Sequence, residues 1–464
     1  MASTYLTKTN SGAGTTTKGT FSAWIKISQL SDDNILFREY ESSGNYFSIK
    51  LKSGSIEVYG QASSSAFVNV KTTRVLRDFS GWYHVLVAID STQSTAANRI
   101  KIYINGVQET TLSSTTYPGS SANCKINQNS EVQTIGGYGS AEYFSGCLSH
   151  VHWVDGTAYA ASTFGSTDST TGEWKINTAP SITMGTNGFT ILKDGNTITD
   201  QSSNSNNFSL GGGTLTKTED CPSNVFCVIN AADRFKGNNT NTPDNLRNGA
   251  TKMVTSDASF LSTRGSIGVT SGKWYWEAKQ GAGNAWAIGI CNDAMVSQTS
   301  AQFWDNTTIT GVAINGSSGT AYVNGGNGDS WNQGTSVNSN TLYGFALDMD
   351  NRAFYISING TYLTANGNVG NPTSGSSRTG SVLGQLTTRG GTGGLNYIPQ
   401  GELIYPFQGD VSSGTYCEIE MNFGNGYFGT TAVASAGSNA SGIGIFEYNV
   451  PTGYTALSTK GLNL

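Results

Sequence analysis

Charge is the first thing this sequence lacks. Asp, Glu, Lys and Arg make up only 12% of its 464 residues, against roughly 25% in a typical globular chain. No block of Lys or Arg occurs, and the net charge is -5. Nucleic-acid binding needs a basic footprint that releases counterions, so that class of partner is excluded. Attachment to an anionic membrane surface is disfavoured on the same ground. No apolar run reaches about 18 residues, so no membrane insertion is expected. The opening residues, MASTYLTKTNSGAG, have neither a basic start nor an apolar stretch, and no secretory signal is expected there.

Cysteine and histidine are also scarce. Cys124, Cys147, Cys221, Cys227, Cys291 and Cys417 form no CxxC pair, which argues against zinc or thioredoxin-like chemistry. Cys124 with Cys147, or Cys221 with Cys227, could form a disulfide. Without an export signal, buried thiols are the expectation. Only His84, His150 and His152 are present. His84 lies in the apolar run WYHVLVAID and is expected to be packed. His150 and His152 alternate onto one strand face, yet no Cys or Glu stands at a metal-site spacing beside them. No nucleophile elbow accompanies any of the three.

Paired acids are missing as well. Glycoside hydrolysis needs two carboxylates at a fixed separation, and no Glu-x-Asp-x-x-Glu strand occurs. Glu418-Ile419-Glu420 is the nearest approach, and Tyr275-Trp276-Glu277 offers one acid. Both read as ordinary strand positions. The chain is therefore expected not to be an enzyme.

What is abundant is glycine, at 59 residues, with 11% aromatics. That aromatic content gives enough apolar surface to offset ordering entropy, so the chain folds. Short alternating runs bounded by Gly, Asn, Asp and Ser replace helical periodicity, which predicts strands. Thr20 to Ile27 places Phe21, Ala23, Ile25 and Ile27 on one face. Ile35 to Tyr40, Tyr46 to Leu51 and Ser55 to Tyr59 follow. Trp82 to Asp90 reads as a central strand, and Asn105-Gly106 as a type I′ hairpin turn. Gly146 to Val154, Gly188 to Leu192 and Asn207 to Leu210 complete a first set. A second set follows Pro222: Gly268 to Lys279, Trp286 to Cys291, Ile309 to Ile314, Leu342 to Asp348 and Ala353 to Ile358. WYHVLVAID followed by RIKIYINGV is echoed by LYGFALDMD followed by RAFYISINGTYL, with Asn359-Gly360 in the part of Asn105-Gly106. The stretch from Asn366 to Tyr397 reads as a long surface excursion. The division expected is one sandwich over 1–217, including a crossover segment, and another over 218–464.

FSAWIKI, WYHVLVAID, RIKIYINGV, IGGYGSAEYFSGCLSHVHWVDGTAY and TNGFTIL together resemble a laminin G-like, concanavalin A-like lectin domain. SGKWYWEAK, AIGICN, YGFALDMDNRAFYISINGTYL and the closing ELIYPFQGD and EMNFG resemble a SPRY (B30.2-like) domain. Their pairing, with the ending VPTGYTALSTKGLNL, is similar to tail-fibre-associated and other virion proteins of marine phages. The resemblance implies an all-β fold of two tandem concanavalin A-like jelly-roll β-sandwiches. It implies a virion protein, made in the host cytoplasm and released by lysis, with other virion proteins and a host-surface glycan or receptor as partners. By analogy with phage appendages it implies a homo-oligomer, taken as a trimer. A tail or fibre module that binds host surface stands first, a capsid- or tail-decorating structural protein second, and a polysaccharide-degrading enzyme a distant third.

For ligand binding the sequence offers aromatics in polar surroundings. Trp304 with Asp305 (FWDNTT) and Trp331 (GDSWNQG) sit in polar loops, where an indole can stack on a sugar or anchor a subunit contact. Trp286 is set apart from the core tryptophans with them. Tyr138 and Tyr143 in GGYGSAEYF are further candidates. Calcium is the one cofactor left open, through Asp155 beside Gly156 or through Asp194 and Asp200 around Gly195, although turn aspartates usually cap their own backbone.

Overall fold

Alternation becomes antiparallel sheet wherever the sequence placed a strong strand. The computed structural model describes residues 3–463 apart from 29, 31–32, 140, 194–196, 237–245, 256–260, 284–285, 295–310, 316–319, 324–330, 333–339, 366–367, 384–397 and 411–416. Among the described residues no α-helix occurs. The chain divides into two units, Met1–Lys217 and Thr218–Leu464. Each is an all-β sandwich of two large sheets.

In the first unit an eight-stranded sheet runs in the order Leu112–Thr116, Ser65–Thr72, Ser55–Ala62, Asn45–Lys52, Asn34–Ser42, Val132–Ile135, Tyr5–Thr9, Ser209–Gly212. A six-stranded sheet runs Phe189–Ile191, Gly146–Asp155, Lys18–Ile27, Tyr83–Asp90, Ile100–Ile104, Val107–Gln108. The strand containing His84 is interior, as its apolar run requires. Phe21, Ala23, Ile25 and Ile27 are fully buried between the sheets. Phe37 and Trp153 stack there with ring centroids 4.3 Å apart.

The second unit repeats the plan. One sheet holds Ile229–Lys236, Leu261–Gly265, Ile404–Asp410, Trp286–Asn292, Gly311–Asn315, Thr320–Val323 and Trp331–Asn332 in that order. The other holds Leu246–Arg247, Lys252–Thr255, Cys417–Asn422, Lys273–Gln280, Leu342–Asp348, Ala353–Ile358 and Thr361–Tyr362, and Thr455–Ala456 pairs in parallel with Lys273–Gln280. Trp276, Phe345 and Phe354 stack between the sheets.

A strand buries one face for each sheet it packs against. In both units a non-repetitive segment also covers an outer face. In the first, residues 157–186 lay Tyr159, Phe164, Trp174, Ile182 and Met184 over Leu86, Ala88 and Val154 of the six-stranded sheet. In the second, the C-terminal residues lay Phe446, Val450 and Tyr454 over Tyr275, Ala346 and Tyr355. These straps decide which sheet faces stay open.

All six cysteines are thiols. Burial raises the pKa of Cys124 to about 11 and that of Cys417 to about 12. Among the described residues no helix is long and apolar enough to cross a membrane.

Candidate functional site

Neither of these straps lies on the outer face of the first unit's eight-stranded sheet, where Tyr46 and Tyr59 stay partly exposed while Arg38, Ser48 and Thr134 are buried among their neighbours. Its side chains follow from register. Cross-strand partners place Thr7, Thr134, Arg38, Ser48, Tyr59, Asn69 and Thr116 in one transverse row, one residue per strand. Beside it lies a second row of Val132, Tyr40, Tyr46 and Gln61. On the other side stand Lys50, Glu57 and Lys71. With strands about 4.8 Å apart, the stretch from Thr134 to Asn69 spans roughly 19 Å.

Aromatic and charged groups interleave along these rows. The Arg38 guanidinium lies 4.3 Å from the Tyr40 ring, 4.7 Å from Tyr46 and 3.9 Å from Tyr138. Burial lowers the Arg38 pKa, while Tyr138 and Glu142 act to raise it; an arginine keeps its charge in such a setting. The Lys50 ammonium is 5.5 Å from the Tyr59 ring and 3.0 Å from Asp33. Burial opposes the Lys50 charge, but Asp33, Glu142 and Glu57 outweigh it and raise the pKa. Tyr46 and Tyr59 have ring centroids 6.0 Å apart, and Gln61 Nε2 donates to Tyr59 Oη at 3.1 Å. Both tyrosines remain partly exposed.

Two hydrogen-bonding atoms in the central row have no protein partner. Thr134 Oγ1 and Asn69 Oδ1 are buried and unsatisfied. They stand at opposite ends of the Arg38–Ser48–Tyr59 line. A buried polar atom left unpaired costs about 1–3 kcal/mol, a loss that an ordered water or a ligand can repay. Aromatic faces, fixed cations and unsatisfied acceptors together suit a hydroxyl-rich ligand that stacks and hydrogen-bonds at once.

The sequence candidates are dispersed. Tyr138 joins the open face through Arg38. Tyr143 shapes the same loop: its Oη donates to the Gly139 carbonyl at 2.8 Å, and its ring lies 6.3 Å from Tyr5. Trp304 and Asp305 lie outside the described residues. Trp331 belongs to the second unit and, contrary to the loop expected, opens the edge strand Trp331–Asn332. Trp286 is a correction: it is fully buried in a strand against Tyr343. Sequence reasoning missed Arg38, Tyr46 and Tyr59, whose signal was the polar phase of strands recognised only for their apolar phase, and Asn69, whose strand Ser65–Thr72 it did not place.

The histidines are structural. His152 and His150 do not share a strand face, because a bulge between Ser149 and His152 breaks the alternation and puts His150 at φ 49°. His152 Nδ1 pairs with Thr190 Oγ1 at 2.9 Å. The calcium candidates are occupied by donors. Asp155 accepts from Thr15 N and Asn187 N. Asp200 accepts from the backbone N–H groups of Thr190, Ser202 and Asn206. Asp194 and Gly195 lie outside the described residues. Among the described residues no three His, Cys, Asp or Glu side chains form a metal-holding group.

The acids are engaged too. Glu418 and Glu420 both bind Lys252 Nζ, at 2.8 and 2.9 Å. Glu277 is buried and accepts from Glu447 N, Tyr448 N, Tyr275 Oη and Asn422 Nδ2. The second unit also has a cleft of about 730 Å³ lined by Val269, Ser271, Lys273, Trp274, Asp350 and Leu462, among others. Its polar groups are mostly spoken for. Lys273 pairs with Asp348 at 3.2 Å, Asp350 accepts from Gly272 N, and Trp274 Nε1 donates to the Ser271 carbonyl.

Residues 2–163 match the family model described as the concanavalin A-like lectin/glucanases superfamily, in agreement with the resemblance of the first part. No curated protein matches the chain. Among solved structures, the chain is similar to the SPRY domain of human HERC1 at 13% identity and TM-score 0.27, covering 42% of this chain and 96% of that one. It is similar to a heptameric SAP-like pentraxin from Limulus polyphemus at 18% identity and TM-score 0.26, over 34% and 72% of the two chains. It is also similar to domain 4 of AbnA, a GH43 extracellular arabinanase from Geobacillus stearothermophilus in complex with arabinotriose, at 18% identity and TM-score 0.24, over 31% and 63%. All three likenesses are distant.

Proposed function

We propose that this protein is a non-catalytic glycan-binding module whose ligand lies along the open face of the first unit's eight-stranded sheet. The observation that carries this reading is the single row from Thr134 to Asn69, with Arg38 and Tyr59 between two buried, unsatisfied polar atoms. Its span of roughly 19 Å suits an oligosaccharide rather than one sugar. Tyr46 and Tyr59 supply stacking faces, and Lys50, Gln61 and Asn69 supply hydrogen bonds. The lectin-type family match over residues 2–163 supports the same reading.

The biological setting we propose is a phage particle, in which the module meets host-surface glycan and docks onto other virion proteins. A homo-oligomer, with a trimer as the working case, would present several weak faces at once, and linked sites gain avidity without new contacts. Adsorption to host cells and glycan-array binding test the proposal together. Tyr59→Ala and Tyr46→Ala are expected to lower glycan affinity by about tenfold or more, near 1.4 kcal/mol, with thermal stability kept. Arg38→Lys keeps the charge and loses the planar stack, so it should also weaken binding. Unchanged glycan binding in all three would reject the site. Loss of particle incorporation with no glycan bound by wild type would assign a decorating, structural role instead.

A further inference from the structure

A second polar constellation sits inside the first sandwich, on the side opposite the open face. Lys8 and Asn10 are two residues apart on one extended segment, so both point inward. Lys8 is 8% exposed, Asn10 2%, Glu39 1% and Gln133 0%. Lys8 Nζ donates to Asn10 Oδ1 at 3.0 Å. Asn10 Nδ2 donates to Glu39 Oε1 at 2.9 Å and to the Gln128 carbonyl at 2.9 Å. Gln133 Nε2 holds the other Glu39 oxygen at 2.9 Å, and Gln128 N donates to Oε1 at 2.8 Å. The Phe189 ring lies 5.9 Å from the amine.

The chemistry of this set is specific. A buried amine is a nucleophile once neutral. Its hydrogen-bond partner is the oxygen of a carboxamide, an acyl group with ammonia as its leaving group. The nitrogen that would leave is hydrogen-bonded to a buried carboxyl. Burial lowers the Lys8 pKa to about 8, against the pull of Glu39, and raises that of Glu39 to about 7. Neutral amine and protonated acid are therefore both accessible near neutral pH. A C=O bond is about 1.2 Å long, which puts the Asn10 carbonyl carbon within about 4.2 Å of Nζ. Near-attack geometry of about 3–3.5 Å then needs only a modest turn of the carboxamide, and held reactants gain a large effective concentration.

We propose that Lys8 and Asn10 become joined by a side-chain amide bond, formed autocatalytically with Glu39 as the acid–base group. The Nζ lone pair attacks Asn10 Cγ, forming the new C–N bond and pushing the carbonyl π pair onto Oδ1. Glu39 gives a proton to Nδ2. The carbonyl re-forms, the Cγ–Nδ2 bond breaks and ammonia leaves. The proton released from Nζ returns to Glu39. One amine and one carboxamide become one secondary amide and ammonia, with no change of oxidation state. The product also removes an ammonium from the sandwich interior, where an isolated charge is costly.

Mass spectrometry of the denatured, full-length wild-type protein tests this directly. The tryptic peptide ending at Lys18 is expected to be about 17 Da lighter than its sequence, the mass of ammonia, and to resist cleavage after Lys8. Lys8→Arg and Glu39→Gln are expected to restore the sequence mass. A succinimide at Asn10 loses the same mass, but it permits cleavage after Lys8 and persists in Lys8→Arg. Either of those results, or a wild-type peptide at full mass, overturns the proposal. Retention of the loss in Glu39→Gln overturns the role of Glu39. The wild-type peptide decides the bond whether or not the variants fold.

Discussion

His84 has its proton placed by its neighbours. Trp174 Nε1 donates to His84 Nδ1 at 3.1 Å, so Nδ1 is the acceptor and Nε2 carries the hydrogen. That Nε2 then faces Ser22 Oγ at 2.9 Å as a donor. A serine–histidine couple in this tautomer cannot start acyl transfer, because the nitrogen facing the hydroxyl has no free lone pair. Burial lowers the His84 pKa to about 3, which keeps the ring neutral. The indole is therefore a structural partner of the ring. Trp174→Phe keeps the packing and removes the donor, leaving a buried acceptor unpaired. The expected cost is about 1–3 kcal/mol, read as a lower denaturant midpoint for the first unit with the second unit unmoved. An unchanged midpoint would mean that water reaches Nδ1.

At the scale of elements, the two units share one hairpin device. Asn105 and Gly106 have φ of 49° and 79°, and Asn359 and Gly360 have 48° and 80°. Each asparagine accepts from the strand paired with the one it leaves, at His84 N and at Leu342 N. A strap then roofs each turn. A Cβ on Gly106 would lie 2.4 Å from the Trp174 ring, and one on Gly360 would lie 2.6 Å from the Tyr448 ring. Gly106→Ala and Gly360→Ala should therefore destabilise by more than the roughly 1–2 kcal/mol of a left-handed L-residue, whereas Asn105→Gly keeps the turn and should cost less. Thermal denaturation of the three variants checks the order, and equal losses would remove the roofing argument. These hairpins were legible in the sequence because turn chemistry is local. The straps were not, since residues 157–186 and the C-terminal segment have no periodicity and reach the sheets they cover only through contacts distant in sequence. The open face was half legible. Arg38, Tyr46 and Tyr59 fall in the polar phase of recognised strands, but which face stays open depends on where the straps land. Tyr138 was picked as a loop aromatic, and its role followed only from a contact with Arg38, a hundred residues earlier in the chain.

At the scale of the whole molecule, buried titratable groups divide unequally between the units. His84 and His152 in the first have pKa values lowered to about 3 by burial. Their neutral form is secure above the ordinary value near 6.5, and the stability it represents is lost as pH falls toward 3. Glu39 in the first unit and Glu277 in the second are raised to about 7 by burial. They take up protons in the folded state first, so stability rises as pH falls from 7 toward 4.5. Two histidines outweigh one carboxyl in the first unit, a net loss of about 1.4 kcal/mol per pH unit near pH 5.5. In the second unit Glu277 acts without such histidines. Calorimetry of the full chain between pH 7 and pH 5 should show the first unit's transition falling and the second unit's rising. Parallel movement of both would contradict this assignment.

The central claim is that a sugar chain lies across the sheet face of the first unit. A crystal structure of the full protein with its best-binding oligosaccharide tests it most directly. The account predicts sugar rings over Tyr46 and Tyr59, with hydroxyls on Asn69 Oδ1 and Thr134 Oγ1. Sugar bound instead in the second unit's cleft beside Ser271 and Trp274, with the sheet face bare, would contradict it.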